Sequence, residues 1–266
     1  MATPLITFLS DFGLADWFVG VVRGVLYEIC PAAHVVDLSH AVEPGDIERA
    51  AFMLEASAPD FPPGTIHLAV VDPGVGTPRR ALAVSARGQL FVGPDNGLLE
   101  WAVSDAAPEI RSLTEQRYFR LPVSRTFHGR DVFAPVAAYL ACGVPLERFG
   151  PGVPDPVRLR RVPSRFADGG LAGSVMFVDR FGSALTDITV EALTRAFPRA
   201  PEQQLEVELG GRSIRGIARS YGDAPIGTLV AIIGSSGRLE IAEVGGHAAS
   251  RFGFGGGDRV TVRAGD

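Results

Sequence analysis

Three nearly continuous apolar runs, residues 4–10, 34–38 and 66–71, are separated by two segments of helical period, and this pattern constrains the fold most. In the first segment Phe18, Val21, Val22, Val25, Leu26 and Ile29 recur at helical spacing until Pro31. In the second, from about residue 45 to 58, Ile47, Ala50, Ala51 and Leu54 share one face. Strands without polar alternation are buried on both faces, which is the habit of a parallel sheet covered by crossover helices. Residues 81–85 and 90–92 add two strands around Gly88, and a helix from about 130 to 141 ends before Gly143.

At 266 residues the chain exceeds a typical single core, so one large and one small domain are expected. Pro151, Pro154, Pro156 and Pro163, followed by Gly169-Gly170, mark a linker over about 151–170. Beyond it the pattern changes to short strands at 171–178, 184–189, 204–209, 213–219, 228–233, 238–243 and 258–263, with only 190–197 helical. The predicted architecture is α/β: a Rossmann-like, mostly parallel N-terminal domain over 1–160 and an antiparallel β-barrel over 171–266.

Composition excludes several chemistries. All 25 basic residues are arginine. Without lysine there is no Schiff base, no Walker A phosphate loop and no protein-kinase lysine. The kinase-like strings Asp11-Phe12-Gly13 and His128-Gly129-Arg130-Asp131 also stand in the wrong order. A net charge of −5 offers no basic face for nucleic acid and suits a cationic small molecule. No segment is long enough to span a membrane, and the N-terminus runs directly into the first strand without a leader. Cys30 and Cys142 lie in apolar helical contexts, so two buried thiols in a reducing, cytoplasmic setting are expected. No histidine pattern of the HxH or HExxH kind points to a metal.

Ligands of open parallel sheets bind beyond the carboxyl ends of the strands. Asp11 and Asp72 occupy two such ends, where a carboxylate can grip a ribose diol or cap a helix. Asp72-Pro73-Gly74-Val75-Gly76-Thr77-Pro78-Arg79-Arg80 is a glycine loop closed by a guanidinium pair. Arg79 could fold back onto Asp72, although the segment by itself reads rather as an exposed pair opening the next strand. Among His34, His40, His67, His128 and His247, His128 stands at a helix start, where the helix dipole favours the neutral ring; capping or core packing is the alternative. His34 and His67 lie in strands and read as structural. In the second half, Asp179 to Ser183, the loop around Tyr221, and the turn carrying Ser235, Ser236 and Glu240 are candidates, each also compatible with ordinary hairpin chemistry.

Six segments in order, ITFLSDFG, VVDPGVGTPRR, FVGPDNGLL, TFHGRDVFAPVAA, VDRFGSALTDI and IGSSGRLEIA, resemble the S-adenosylmethionine hydroxide adenosyltransferases, relatives of the fluorinase and chlorinase. The resemblance implies a water-activating group of Asp72, Arg79 and His128. It further implies substrate contacts from Asp11, Phe127, Asp179, Ser183, Tyr221, Ser235 and Glu240. No cofactor or metal is implied. The partner is the small molecule S-adenosylmethionine, and the family is expected to form homotrimers with sites between the first domain of one subunit and the second of a neighbour. Three positions depart from the family pattern: Ser183 and Asp187 where it has asparagine, and Gly45 where it has an aromatic.

The chemistry expected is attack of water at C5′ with expulsion of a neutral thioether, which needs no general acid. The initial expectation is that Asp72 and Arg79 orient the water while His128 accepts a hydrogen bond from it. Three rivals remain: a halogenase, a metal-dependent phosphohydrolase using Asp11, Asp72, Asp95 and His128, and a non-catalytic nucleoside sensor.

Overall fold

The computed structural model describes residues 3–160, 163–167 and 169–265. The chain separates into two units, one ending at Arg160 and one beginning at Arg161.

The first unit is built on a six-stranded sheet. Its strands are β1 (Leu5–Ser10), β2 (His34–Ser39), β3 (Ile66–Val70), β4 (Ala81–Ala86), β5 (Gln89–Pro94) and β6 (Glu109–Ser112), in the order β2-β1-β3-β5-β4-β6. Strands β2, β1, β3 and β5 run parallel, whereas β4 pairs antiparallel with both β5 and β6. The hairpin turn at Arg87-Gly88, with positive φ at both residues, sets that reversal. One face packs against α1 (Phe18–Ile29), the other against α2 (Ile47–Ser57) and the short α3 (Glu100–Val103). Ile6 and Phe8 therefore enter one core while Leu9 enters the other.

Several local features differ from the sequence expectation. The four-residue α3 and β6 are too short and polar for periodicity to reveal. The helix expected from 130 begins as a π turn, Gly129–Phe133, and only then becomes α4 (Ala134–Ala141). Residues 151–160 are not a free linker. Arg80 Nη1 donates to Asp155 at 2.7 Å, the Val157 amide donates to Asp95 at 2.7 Å, and the Leu159 amide donates to Glu100 at 2.9 Å. Cys30 is buried as expected, but Cys142 is exposed at the end of α4, its thiol 3.5 Å from the Ile29 carbonyl.

The second unit is a nine-stranded sheet curled around a single core. Its strands are β7 (Arg165–Ala167), β8 (Gly170–Val178), β9 (Ala184–Thr189), β10 (Leu205–Leu209), β11 (Arg212–Arg215), β12 (Ile217–Ala218), β13 (Leu229–Ile233), β14 (Arg238–Glu243) and β15 (Arg259–Ala264). Helices α5 (Val190–Ala196) and α6 (Ala248–Phe252) complete it; α6 is too short to show a period. The run expected at 213–219 breaks at Gly216 into β11 and β12, and β12 pairs parallel with β13 in an otherwise antiparallel sheet. Among the described residues no helix is long and apolar enough to cross a membrane.

Two buried polar side chains of the first sheet meet, although the His67 Nε2 atom has no partner among the described residues. Thr7 and His67, both fully buried, meet across β1 and β3 at 2.8 Å, and the His67 ring stacks on Phe91 at 4.8 Å. Burial pushes the His67 imidazole down to about 4, against 6.5 when free. Between those values the unfolded chain binds one more proton than the folded one, so stability falls as pH drops from 6.5 towards 4, by about 3 kcal/mol in all. Urea unfolding at pH 7.5 and pH 4.5 should show this loss, and His67→Phe, which keeps the stacking, should remove His67's share of the slope.

Candidate active site

The site grows from the carboxyl ends of β1 and β3. Asp11 directly follows β1 and lies well before α1, so it caps no helix; its Oδ2 accepts the Gly45 amide at 2.9 Å. Asp72 follows Val71 at the end of β3 and begins the glycine loop. Gly76 in that loop has φ +76°, and a Cβ there would stand 2.4 Å from the Arg125 carbonyl oxygen. Only glycine permits the loop to lie so close to the strand of chain that leads into His128.

That closeness brings three charged or polar groups together. Arg79 folds back across the loop rather than opening the next strand in solvent. Its Nε donates to Asp72 Oδ1 at 2.8 Å and Oδ2 at 3.1 Å, and its Nη2 donates to Oδ2 as well. The side chains are 6% (Asp72) and 11% (Arg79) exposed, so the pair is largely desolvated. The guanidinium also lies over the Phe133 ring, 5.1 Å from its centre, and Nη1 reaches the Arg80 carbonyl at 3.3 Å. Arg80 points elsewhere, to Asp95 and Asp155.

The third group is His128. Arg79 Nη2 lies 2.9 Å from His128 Nδ1. A guanidinium has only donors, so Nδ1 must be the unprotonated acceptor, and the single proton of the neutral ring sits on Nε2. Burial, and next the Arg79 charge, hold the His128 pKa below 6.5. The neutral state thus comes from these two causes; His128 does lie at the start of the π turn, but its side chain makes no capping bond.

A cleft of about 290 Å³ opens onto these groups. Asp11, Asp72 and His128 supply its polar wall, and Phe12, Pro73, Val75 and Phe127 much of its apolar wall. Phe12, Phe18 and Phe127 pack edge to face or tilted, with ring centres 5.3–6.1 Å apart. Asp95, expected in the metal reading, is turned away: it accepts from Arg80 Nε at 2.6 Å and from the Val157 amide. Both Asp72 oxygens accept from Arg79, and among the described residues no group of three or more histidine, cysteine or carboxylate side chains is placed to hold a metal.

Sequence reasoning missed Asn96, the one asparagine in the chain. Its Nδ2 donates to the Val71 carbonyl at 2.9 Å, fixing the peptide just before Asp72, and its Oδ1 accepts the Leu98 amide at 3.1 Å. Its place in FVGPDNGLL, directly after β5, was the available signal.

In the second unit the candidates also converge. Asp179 Oδ1 accepts the amides of Phe181 and Ser183 at 2.9 and 2.8 Å, which shapes the turn between β8 and β9. The Tyr221 hydroxyl lies 3.4 Å from Glu240 Oε2, with Asp179 and Ser183 nearby. Burial, then the Asp179 charge, raise the Glu240 pKa. Glu240 rests against Gly234, where a Cβ would meet Oε1 at 1.8 Å. Ser235 is exposed on the adjoining turn, outside this hydrogen-bonded group, while the Ser236 hydroxyl is buried without a partner among the described residues. Asp187 does not join the cluster: it accepts the Ser174 amide at 2.7 Å across to β8, so that departure from the family pattern serves the sheet.

Comparison with known proteins identifies the family. The SAM hydroxide adenosyltransferase N-terminal domain matches residues 6–150, and the corresponding C-terminal domain matches residues 173–261. The chain belongs to this family. It is 42% identical over 275 residues to the (R)-S-adenosyl-L-methionine hydrolase of Salinispora arenicola, covering 99% of both chains. A fluorinase of Nocardia brasiliensis is more distant, at 28% identity over 301 residues and 98% and 97% coverage. A conserved protein of Thermotoga maritima, solved by crystallography, superposes with a TM-score of 0.91 at 36% identity, covering 97% of this chain and 99% of that one.

For this family member the Asp72 loop makes a sharp test of assembly. Gly76→Ala combines a strained φ with a backbone clash, so the loop must withdraw from Arg125. The expected result is a lowered melting temperature and loss of most activity. Removing the guanidinium by Arg79→Ala leaves Asp72 buried and unpaired, which should destabilise the fold by roughly 3–5 kcal/mol in urea unfolding.

Proposed function

We propose that this protein hydrolyses S-adenosyl-L-methionine to adenosine and L-methionine by in-line attack of water on C5′. The observation that carries the reading is the hydrogen-bonded series Asp72, Arg79, His128 on the wall of a cleft that Asp11 and Phe127 also line. The oxygen of water forms a bond to C5′ as the C5′–S bond breaks. The bonding pair moves to sulfur, which leaves as a neutral thioether, and one proton of the water is released.

The hydrogen-bond directions revise the role expected of His128. With Nδ1 accepting from Arg79, the ring offers Nε2–H to the cleft, so it donates to the attacking oxygen and does not take its proton. Arg79 and this N–H favour a hydroxide-like oxygen by preorganised electrostatics. Asp72, whose two oxygens accept from Arg79, holds that guanidinium in place, and the proton of the attacking water passes to solvent. Asp11, with one oxygen on the Gly45 amide and the other free of that bond, suits a ribose hydroxyl. The acidic cluster of Asp179 and Glu240 suits a positively charged substrate. Assembly as a homotrimer and a cytoplasmic location belong to the same reading, and a solution mass of one chain would remove the trimer from it.

Incubation with S-adenosylmethionine in chloride-free buffer containing EDTA should give adenosine and methionine in equal amounts. His128→Ala should lose about 100-fold or more in kcat. Binding without turnover would instead identify a sensor, and dependence on halide or divalent metal would restore a rival chemistry. The pH profile of kcat/KM should stay level from neutrality down past 6.5 and bend only below it, because protonated His128 can no longer accept from Arg79.

A further inference from the structure

A second polar series, apart from Asp72, Arg79 and His128, runs up to Asp11 and Phe12, which line the cleft. Ser10, the last residue of β1, is fully buried, and its Oγ lies 2.7 Å from His40 Nδ1. His40 is 4% exposed and packs edge-on to Phe8 at 4.6 Å. On the far side of the ring, Nε2 lies 3.2 Å from Asp37 Oδ1, somewhat off the best hydrogen-bond line. Asp37 is held in turn by Arg23 through both carboxylate oxygens.

The residue types stand in the order of a serine–histidine–aspartate relay, but the placement excludes a nucleophile. Ser10 has no exposed surface, and its Oγ accepts the Phe12 amide at 3.3 Å. What the series can do is set direction. An ionised Asp37 accepts only, so His40 Nε2 carries the ring proton. The bare Nδ1 then accepts the Ser10 hydroxyl proton, and the Ser10 oxygen is left to accept the Phe12 N–H. The Asp37 contact at Nε2 is electrostatic, whereas the Ser10 and Phe12 bonds are directional: reversing the Ser10–His40 bond would leave the buried Ser10 hydroxyl proton without its acceptor.

The run ends at the corner that carries Asp11. The loop after β2 grips that corner at two further points: the Gly13 amide donates to the His40 carbonyl at 2.8 Å, and the Gly45 amide donates to Asp11 Oδ2 at 2.9 Å. Asp11 is thus flanked on both sides by peptides tied to the His40 segment. Phe12, whose amide is the terminus of the run, packs on Phe127 in the cleft wall.

We infer that Ser10 and His40 are positioning residues that fix the Asp11–Phe12 corner through a one-way hydrogen-bond run from His40, whose ring is oriented by the Asp37 charge, and so set affinity for the nucleoside part of the substrate. This rests on the hydrolase reading only for the identity of that substrate. Ser10 and His40 act through Asp11 and touch no reacting atom, so their loss should appear in KM and not in kcat.

The test uses the intact protein, with S-adenosylmethionine turnover and calorimetric adenosine binding measured side by side. Ser10→Ala removes the link to Phe12. His40→Gln can reach Asp37 but offers nothing at the Nδ1 position, whereas His40→Asn restores an acceptor there. Ser10→Ala and His40→Gln should raise KM and the adenosine Kd roughly tenfold with kcat within about threefold, and His40→Asn should recover most of the affinity. In an Asp11→Asn background, Ser10→Ala should add less than about twofold, because the two act on one contact. Unchanged KM and Kd in folded Ser10→Ala and His40→Gln proteins, or a fall in kcat at constant KM, would overturn the inference. If the wild type binds adenosine without turnover, the hydrolase reading fails while the adenosine Kd values still decide this one; no adenosine binding at all would overturn both.

Discussion

The guanidinium of Arg79 is the group on which the first unit's cleft depends. It neutralises a carboxylate that would otherwise be buried alone, and isolated buried charge is among the most destabilising features a fold can carry. By directing its remaining donor at His128, it also decides which ring nitrogen bears the proton. One side chain therefore couples the stability of the Asp72 loop to the electrical character of the cleft. The glycine loop, the Asn96 clamp on Val71 and the Phe133 ring beneath the guanidinium all hold that side chain in place.

The cleft has two supports of the same kind, one at Asp72 and His128 and one behind the Asp11–Phe12 corner. At the first a cation orders an acid and a histidine, as Arg79 does with Asp72 and His128; at the second, Arg23 and Asp37 fix His40, and His40 fixes Ser10. In both cases a fixed charge at one end assigns the tautomer of a neutral histidine, and that tautomer assigns the direction of the next bond. The sheet makes this possible because β1, β2 and β3 are adjacent and parallel, so their carboxyl ends open on one edge.

Much of this was legible in the sequence. The apolar runs of β1 and β3 pointed to the parallel core with their intervening helical periods, because burial on both faces leaves a continuous signature; β2, read in the same way, is an edge strand and only partly buried. The six ordered segments indicated the family, and the positions of Asp11, Asp72, Arg79 and His128 followed from them. What was not legible is long-range and directional. The resemblance grouped Arg79 with Asp72, but nothing in the residues themselves shows why Arg79 takes Asp72 while its neighbour Arg80 takes Asp95, since both are arginines beside the same loop. Donor and acceptor roles at His128 needed the 2.9 Å contact with Arg79 Nη2. His40 reads as an ordinary loop histidine until Ser10, which lies 30 positions earlier, is seen beside it. Short elements such as α3 and β6 fall below the length at which periodicity speaks, and residues 151–160, rich in proline, read as a linker although their amides and Asp155 are bound to the first unit.

The central claim is that Arg79 holds His128 as a neutral ring with its proton on Nε2. Nitrogen-15 NMR of protein labelled at histidine reads the two ring nitrogens separately, with His128→Gln providing the assignment. At pH 7.5 the account predicts an unprotonated, hydrogen-bond-accepting Nδ1 and a protonated Nε2 for His128. A proton on Nδ1, with Nε2 bare, would contradict it, because no donor-only guanidinium could then face that nitrogen.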